Sequence, residues 1–246
     1  MAKIYGRNPV IEALESGQAI DKIYIQSGVQ PQWVRQISRL ARKQHIPVSR
    51  IDRRKMDQIS GGVKHQGVCA LMAPIAYIPL ENLVEKIQKQ GQPGSLLMLD
   101  RIQDPHNMGA IIRSAEVLGA QGILFSLRDS VPLTETVIKA SAGAIFHLDI
   151  CKVGNLVSAL RYLRDCGFWI YSTSSHAEKD LWSMDFLNSH LIILGSEGKG
   201  VRPLLQKESD DVFQIPRLGK TESLNVSVAC GIILGEVLRQ RRQELR

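Results

Sequence analysis

The stretch 215–231, IPRLGKTESLNVSVACG, joins a short apolar strand to a helix through a polar loop. The strand is predicted over 212–215, and the helix is predicted to begin at about Val226. Ser223 and Asn225 lie where the helix begins, and both residue types are good N-caps. Loops of this kind also carry sites, because a rigid scaffold holds them while their backbone stays free to bond a ligand. The residues themselves leave both roles open.

A second loop of the same half of the chain is DRIQDPHNMGAIIRSAEVLG, residues 100–119. Asn107 precedes the predicted helix and is expected to be its N-cap. Arg113 and Glu116 are the only charges among the apolar residues that follow. One possibility is that the two residues form an i,i+3 ion pair on an exposed strip of the helix. The other is that Arg113 projects into a site, where the several N–H donors of its guanidinium bind an anionic group.

A third loop, ILGSEGKGVRP at 193–203, is rich in glycine, which permits close approach of the backbone to a ligand. Its spacing fits neither a Walker A loop nor a dinucleotide fingerprint. Glu197 stands before one of its glycines and is either simply exposed or orients a ligand or a catalytic group. A nucleotide- or phosphate-binding protein of another class therefore stays open as an alternative.

From residue 95 onward, short apolar runs alternate with helical segments. This alternation predicts an α/β fold with a parallel sheet flanked by helices. The runs are continuous rather than alternating, as in strands that are buried on both faces. Ligands of open α/β sheets bind beyond the carboxyl ends of the strands, and all three loops are predicted to lie there.

The composition is that of a globular protein, with 44% hydrophobic and 22% charged residues in a chain of 246. No run of about 18 apolar residues is present, and the start of the chain lacks the apolar core of a signal peptide. We therefore expect a soluble, cytoplasmic protein. The four cysteines and six histidines show no metal-ligand spacing, so no metal is expected.

Positive charge is concentrated at the start of the chain. Residues 1–75 hold 12 lysines and arginines against five acidic residues, a surplus equal to the net charge of the whole chain, +7. Such segregation is typical of a polyanion partner, although a well-solvated basic surface would look the same. Six residues are the best candidates for RNA phosphate contacts: Arg50, Arg53, Arg54, Lys55, Lys64 and His65.

These features suggest three parts of the chain. Residues 1–75 are expected to form a small basic α/β domain that suits a polyanion, and in it the apolar stripe from Trp33 to Ala41 is expected to be core rather than a base-stacking platform. Residues 76–93 lie in a segment with several prolines and glycines and are expected to be a linker. Residues 94–246 are expected to form a second domain, which carries the three loops and which the resemblance described next implies to be catalytic.

Together the loops resemble the motifs of the SpoU class of SPOUT methyltransferases. DPHNMGAIIRSAEVLG is similar to the first motif of that family, ILGSEGKGVRP to the second and IPRLGKTESLNVSVACG to the third. IYGRNPVIEAL near the start and the later His65-Gln66-Gly67 resemble its substrate-binding domain, which is similar to a small kink-turn-binding ribosomal protein. The resemblance covers nearly the whole chain, and no motif residue departs from it.

The resemblance implies transfer of a methyl group from S-adenosylmethionine to a ribose 2′-hydroxyl of RNA. The domain arrangement is closest to the bacterial enzyme that methylates a guanosine of 23S ribosomal RNA. Transfer RNA is the alternative substrate, and a non-catalytic, ribosome-associated RNA-binding relative is the alternative kind of protein. The resemblance also implies a trefoil knot in the catalytic domain and a homodimer packed through the knot and the C-terminal helices.

The residues of the site follow from the same resemblance. The catalytic set of the family falls on Asn107, Arg113, Glu197, Ser223 and Asn225. Its cofactor positions fall on Gly195, Ile215 and Leu224, with Leu194, Gly198 and Pro216 beside them. Because arginine is effectively always protonated, we expect Arg113 to stabilise the developing alkoxide of the ribose rather than to act as a free base.

Overall fold

The strands form two sheets, one in each of the two units into which the chain divides. The computed structural model describes residues 3–73 and 76–244. The first unit comprises Met1–Ala76 with Pro132–Glu135, and the second comprises Tyr77–Val131 with Thr136–Arg246. Both mix helices with strands, so the predicted α/β class with a small N-terminal domain is confirmed.

The first unit has a four-stranded mixed sheet in the order β1-β4-β2-β3, in which only β2 and β3 run parallel. Its elements are β1 (Lys3–Tyr5), α1 (Arg7–Glu15), β2 (Ile20–Gln26), α2 (Pro31–Lys43), β3 (Val48–Ile51), α3 (Arg53–Ser60) and β4 (Val68–Met72). In α2, Trp33, Val34, Ile37 and Ala41 are buried in the core. The expectation that this stripe is core is confirmed.

The second unit is built on a seven-stranded sheet in the order β7-β6-β5-β10-β8-β11-β9, and every neighbouring pair runs parallel. Its strands are β5 (Ser95–Asp100), β6 (Gly122–Phe125), β7 (Asp149–Lys152), β8 (Trp169–Thr173), β9 (Lys179–Asp180), β10 (His190–Gly195) and β11 (Asp211–Gln214). Its helices are α4 (Leu80–Lys89), α5 (Pro105–Val117), α6 (Glu135–Ala140), α7 (Leu156–Asp165), α8 (Pro203–Lys207) and α9 (Val226–Glu244). Short 3-10 helices lie at Ala144–Phe146 and Leu181–Ser183.

Strands β5, β6 and β10 are buried along their whole length. Helices on both faces of the sheet exclude water from both sides of these strands, which is why their sequences are continuously apolar. Within the described ranges, no helix combines the length and the apolar character needed to span a membrane.

The segment 76–93, expected to be a linker, carries helix α4. Four residues at helical spacing, Leu80, Leu83, Val84 and Ile87, are buried in the core of the second unit. The flanking prolines and glycines mark the ends of this helix rather than an extended connection. Strands β7 and β9 were also not expected from the sequence, because β7 begins and ends with a charged residue and β9 has only two residues.

The edge of the second sheet at which its strands begin, the amino edge, is tied together by the C-terminal helix. The guanidinium of Arg241 in α9 donates hydrogen bonds to the backbone carbonyls of Pro93 (2.9 Å), Gly94 (2.9 Å) and Phe186 (3.1 Å). One side chain thereby joins the segments that lead into β5 and β10. Charged donors to carbonyls are the stronger kind of hydrogen bond, so this contact fixes α9 to the sheet.

His190, the first residue of β10, is buried at the same edge. Its Nδ1 is 2.9 Å from the carbonyl oxygen of Asn188 and its Nε2 is 3.1 Å from the hydroxyl of Ser95. Burial, with a smaller contribution from the nearby charge of Arg241, lowers the pKa of His190 to about 3. The imidazole is therefore neutral in the folded protein at physiological pH.

We expect the folded state to lose stability as the pH falls from about 6.5 towards 3. The unfolded chain binds a proton on His190 below its ordinary pKa of 6.5, whereas the folded chain does not, so acid favours unfolding. Urea unfolding at a series of pH values should show a contribution of up to about 1.4 kcal/mol per pH unit from this group. His190→Gln should remove that contribution, and the exposed His176→Gln should keep it. An unchanged acid slope in His190→Gln would contradict the assignment.

Candidate active site

The loops that follow β5, β10 and β11 meet at the carboxyl edge of the second sheet. Oε1 of Glu197, in the loop after β10, accepts a hydrogen bond from Nδ2 of Asn107 at 3.0 Å and another from Nδ2 of Asn225 at 2.5 Å. Nδ2 of Asn225 also donates to Oδ1 of Asn107 at 3.0 Å. Three of the five predicted catalytic residues thus form a closed triangle, although Asn107 is 90 positions from Glu197 and 118 from Asn225 in the chain.

Asn225 is at once the N-cap of α9 and a member of this triangle. Its Oδ1 accepts hydrogen bonds from the backbone N–H groups of Ser227 (2.9 Å) and Val228 (3.4 Å). The capping oxygen must face the helix, so the amide nitrogen is turned towards Glu197. Asn225 therefore acts as the N-cap of α9, and the same side chain also contacts Glu197 and Asn107. Ser223 is exposed and does not cap the helix.

Asn107 is not the N-cap of α5, contrary to the prediction. The cap is Asp104, whose carboxylate accepts from the backbone N–H groups of His106 (3.1 Å) and Asn107 (3.4 Å). Pro105 occupies the first helical position, where its missing N–H costs nothing. Because Asp104 caps the helix, the side-chain amide of Asn107 is left for the triangle.

The loop after β10 turns tightly around Gly195. A Cβ atom at that position would lie 2.0 Å from the carbonyl carbon of Gly200 and 2.2 Å from the nitrogen of Val201. The backbone N–H of Gly200 donates to the carbonyl of Ser196 at 2.9 Å, which closes the loop. Gly198 and Gly200 both have positive φ, of 76° and 60°. The chain can pass this closely over Gly195 only because the residue has no side chain.

We call the close passage of residues 200–201 over Gly195 the crossing. Asp100, the last residue of β5, holds the crossing in place. The sequence analysis did not identify this residue. Its carboxylate is fully buried. Oδ2 accepts from the backbone N–H of Arg202 at 2.9 Å, and Oδ1 lies 2.7 Å from Nη2 of the same residue. Arg101 lies 3.7 Å from the carboxylate and donates to the carbonyl of Gly200 at 3.2 Å. A carboxylate at the end of an otherwise apolar strand was the available signal.

Arg113 is exposed and does not belong to the triangle. It makes no hydrogen bond or ion pair with any residue of 3–73 or 76–244, so the ion pair with Glu116 does not form. At about 100° per residue, Arg113 points roughly 120° away from Asn107 around the axis of α5. It shares its side of the helix with Val117, which is 68% exposed.

The positions that the resemblance assigns to the cofactor lie on the loops around the crossing. Leu194 and Gly195 are buried, Ile215 is half-buried, and Gly198, Pro216 and Leu224 are exposed. Arg217 holds the loop after β11 in place by donating to the carbonyls of Ser175 and Glu222. Leucine side chains on this loop remain open to solvent, with Leu224 43% exposed and Leu218 fully exposed.

The predicted RNA contacts belong to the first unit. Arg50, Arg53, Arg54, Lys55 and Lys64 are exposed, and three of them lie in the first turn of α3. His65 differs from the others, because its Nε2 is 3.0 Å from Oδ1 of Asp57 and its Nδ1 accepts from the backbone N–H of Gly67 at 3.0 Å. The imidazole of His65 thus stabilises the turn between α3 and β4 in which it lies.

Comparison with known proteins shows that both units of the chain match described protein families. Residues 94–235 match the SpoU rRNA Methylase family, and residues 3–78 match the family described as RNA 2′-O ribose methyltransferase substrate binding. The chain belongs to the SpoU family. Both matches follow the division into two units.

Relatives of this SpoU protein extend over nearly its whole length. A Bacillus subtilis protein of the TrmH family of tRNA/rRNA methyltransferases is 37% identical over 238 residues, which cover 97% of this chain and 95% of that protein. A Staphylococcus epidermidis relative is 38% identical and covers 98% of this chain and 96% of its own. The crystal structure of an AdoMet-bound rRNA methyltransferase from Sinorhizobium meliloti aligns with a TM-score of 0.61 and 26% identity, covering 96% of this chain and 86% of that one.

This SpoU protein is therefore a 2′-O-ribose methyltransferase of tRNA or rRNA, and S-adenosylmethionine is its cofactor. The loops fit that cofactor. Leu218 and Leu224 on the loop after β11 are uncovered, and apolar surface of this kind suits the flat base of S-adenosylmethionine.

We expect Gly195→Ala to destroy this crossing. The added methyl group would overlap backbone atoms, which cannot move aside as a flexible side chain can. The free energy of unfolding in urea should fall by about 3 kcal/mol or more, and calorimetry should show at least about tenfold weaker binding of S-adenosylmethionine.

The matched control is Gly219→Ala in the loop after β11. A Cβ there would meet nothing within 4 Å, and its φ is not positive. This variant should stay within about 0.5 kcal/mol of the parent in stability. Equal stability of the two variants would show that the close approach at Gly195 is unimportant.

Proposed function

We propose that the protein transfers the methyl group of S-adenosylmethionine to the 2′-hydroxyl of a guanosine in 23S ribosomal RNA. The observation that carries the proposal is the triangle of Asn107, Glu197 and Asn225, which joins the three motif loops next to the crossing at Gly195. A separate basic unit favours a large, folded RNA over a small one. Its charge reads the RNA backbone rather than the sequence, so the choice of guanosine rests on the domain arrangement.

The chemical task of the protein is to ready a ribose hydroxyl, which is a poor nucleophile while protonated. S-adenosylmethionine supplies the electrophilic methyl group. Arg113 meets the 2′-hydroxyl or the neighbouring phosphate and stabilises the developing alkoxide with its permanent charge. Its lack of any partner among the described residues leaves the guanidinium available for that role.

The other four residues of the set hold the reactants in line. Asn107, Ser223 and Asn225 position ribose and phosphate. Glu197 keeps the loop after β10 in place through Oε1, and its Oε2, which has no hydrogen bond within the described ranges, accepts from the substrate. Six residues on the second and third motif segments would hold the cofactor: Leu194, Gly195, Gly198, Ile215, Pro216 and Leu224.

Two larger features belong to the same proposal. The contact of Asn225 in the third motif segment with Glu197 in the second supports a trefoil knot formed by these two segments. The exposed apolar side chains of Val117 in α5 (68%) and Val228 in α9 (50%) support a homodimer packed through these helices. In that dimer Arg113, which shares a helix side with Val117, reaches the site of the partner. A cytoplasmic location follows from the substrate.

The proposal predicts which nucleotide is modified. Mapping 2′-O-methyl groups in a strain that lacks this protein should reveal one missing methyl group, on a guanosine of 23S ribosomal RNA. Purified protein with tritiated S-adenosylmethionine should restore it on RNA from that strain. Loss of a methyl group from a transfer RNA instead would place the substrate there, and a complete methylation pattern would favour a non-catalytic protein.

Arg113→Ala should abolish turnover while leaving the affinity for S-adenosylmethionine near that of the parent. The lost charge stabilisation corresponds to a rate decrease on the order of 10²-fold or more. Single-turnover methyl transfer and calorimetry measure the two quantities separately. Arg242→Ala, at the far end of α9 and also exposed, is the control and should retain full activity. More than about a tenth of the parent rate in Arg113→Ala would contradict the role.

Mixed dimers test whether Arg113 acts in the partner's site. We expect the Arg113→Ala variant and the Asn107→Ala variant each to be inactive alone. A mixed dimer has one subunit of each variant. If the arginine acts across the interface, one of its two sites then contains both native residues. Unfolding and refolding an equal mixture should then restore about a quarter of the parent activity. No restoration would place Arg113 in its own subunit's site.

A further inference from the structure

The outer side of α2 carries three arginines in a row. Arg35, Arg39 and Arg42 are all exposed, and at about 100° per residue they lie within an arc of roughly 60° over about 10 Å of helix. The helix contains no acidic residue. We call Arg35, Arg39 and Arg42 the α2 stripe. It is separate from the cluster at 50–65 that the sequence analysis singled out.

The stripe has a fixed direction because the opposite side of the helix is anchored. Trp33, Val34, Ile37 and Ala41 are buried in the core of the first unit. A helix held on one side by four core residues cannot turn about its axis without exposing them. The three guanidinium groups therefore project to solvent together.

The arginines of the stripe have no partner within residues 3–73 and 76–244, since none makes a hydrogen bond, ion pair or ring contact there. Other cations of the same unit do make such contacts. The guanidinium of Arg7 lies 4.8 Å from the centre of the Trp33 ring, and Nε of Arg53 lies 3.9 Å from Asp57.

Stability does not explain the stripe. Cations favour the last turn of a helix, which accounts for Arg42 but not for Arg35 and Arg39. Like charges four residues apart repel each other and weaken a helix. Three unpaired arginines on one side are thus unfavourable for the folded protein alone, and a polyanion would remove the repulsion.

We infer that the α2 stripe binds the sugar–phosphate backbone of the substrate RNA. This inference rests on the proposed function, in which RNA is the substrate. A row of guanidinium groups suits phosphates, each of which accepts two parallel hydrogen bonds. A protein partner fits less well, because no large apolar side chain of α2 is among the exposed ones of the described chain, and protein interfaces need such anchors at their centre.

The test is the salt dependence of binding to polyuridylate, measured by fluorescence anisotropy with the full-length protein. R35Q/R39Q/R42Q removes three phosphate contacts, and for single-stranded RNA the slope of log K against log salt should become shallower by about 2. R35K/R39K/R42K keeps the charge and should keep most of the slope. Neither variant should unfold at a lower temperature than the parent, because the replaced side chains are exposed.

The matched control, K86Q/K89Q/K179Q, changes the net charge by the same amount at lysines that are already paired with Asp149, Glu85 and Asp211. Its salt slope should equal that of the parent. Equal slopes in the stripe variant and this control would overturn the inference, as would a parent protein that does not bind the polymer. A parent that binds with the expected slopes but transfers no methyl group to ribosomal or transfer RNA would overturn the proposed function and not the stripe.

Discussion

The candidate site depends on one steric condition, the absence of a side chain at Gly195. Only that absence lets residues 200–201 pass against the end of β10, and the passage holds Glu197 above the carboxyl edge of the sheet. The buried carboxylate of Asp100 keeps the returning chain there, because it binds both the backbone N–H and the guanidinium of Arg202. A buried charge is tolerated only with such partners. The crossing and the ion pair therefore stabilise each other.

Asn225 shows how tightly the fold and the site are joined. One face of its amide caps α9, and the other reaches Glu197 and Asn107. A residue that caps a helix is often set aside as structural, yet here the cap determines which way the amide nitrogen points. The same side chain therefore fixes the start of α9 and the positions of Glu197 and Asn107. Substitutions at Asn225 remove the cap of α9 and the contacts of the triangle together, whereas the exposed Ser223 can be changed without that coupling.

The pattern of residues predicted much of the fold because the governing interactions are local. Continuous apolar runs identified most of the parallel strands, since strands buried on both faces have few polar positions. Helix α4 was missed although Leu80, Leu83, Val84 and Ile87 have helical spacing, because the surrounding prolines and glycines suggested a linker. The N-cap of α5 was assigned to Asn107 although Pro105 marks the first turn and points to Asp104.

The site was less accessible to such reasoning, because its contacts join residues that are 28 to 118 positions apart. No spacing rule relates Asn107 to Glu197 or Asn225, and only the resemblance to a family brought them together. The resemblance in turn did not single out Asp100, whose importance appears only when the partners of Arg202 are known. Local patterns thus predicted most of the helices and strands, and the resemblance predicted the residues of the site. The structure showed which further residues, such as Asp100, hold the site in place.

The arginines of the second unit separate into those that build the fold and those that remain available. Arg202 and Arg241 are bound to carboxylates or carbonyls, as is Arg101. Arg113 has none of these contacts within the described chain. A guanidinium is a strong hydrogen-bonding group that folded proteins usually employ, so an unpaired one beside an uncovered apolar surface indicates a partner outside the chain. The helix geometry directs Arg113 away from its own triangle and towards that surface, and this direction is the basis of the proposal that a second subunit completes the site.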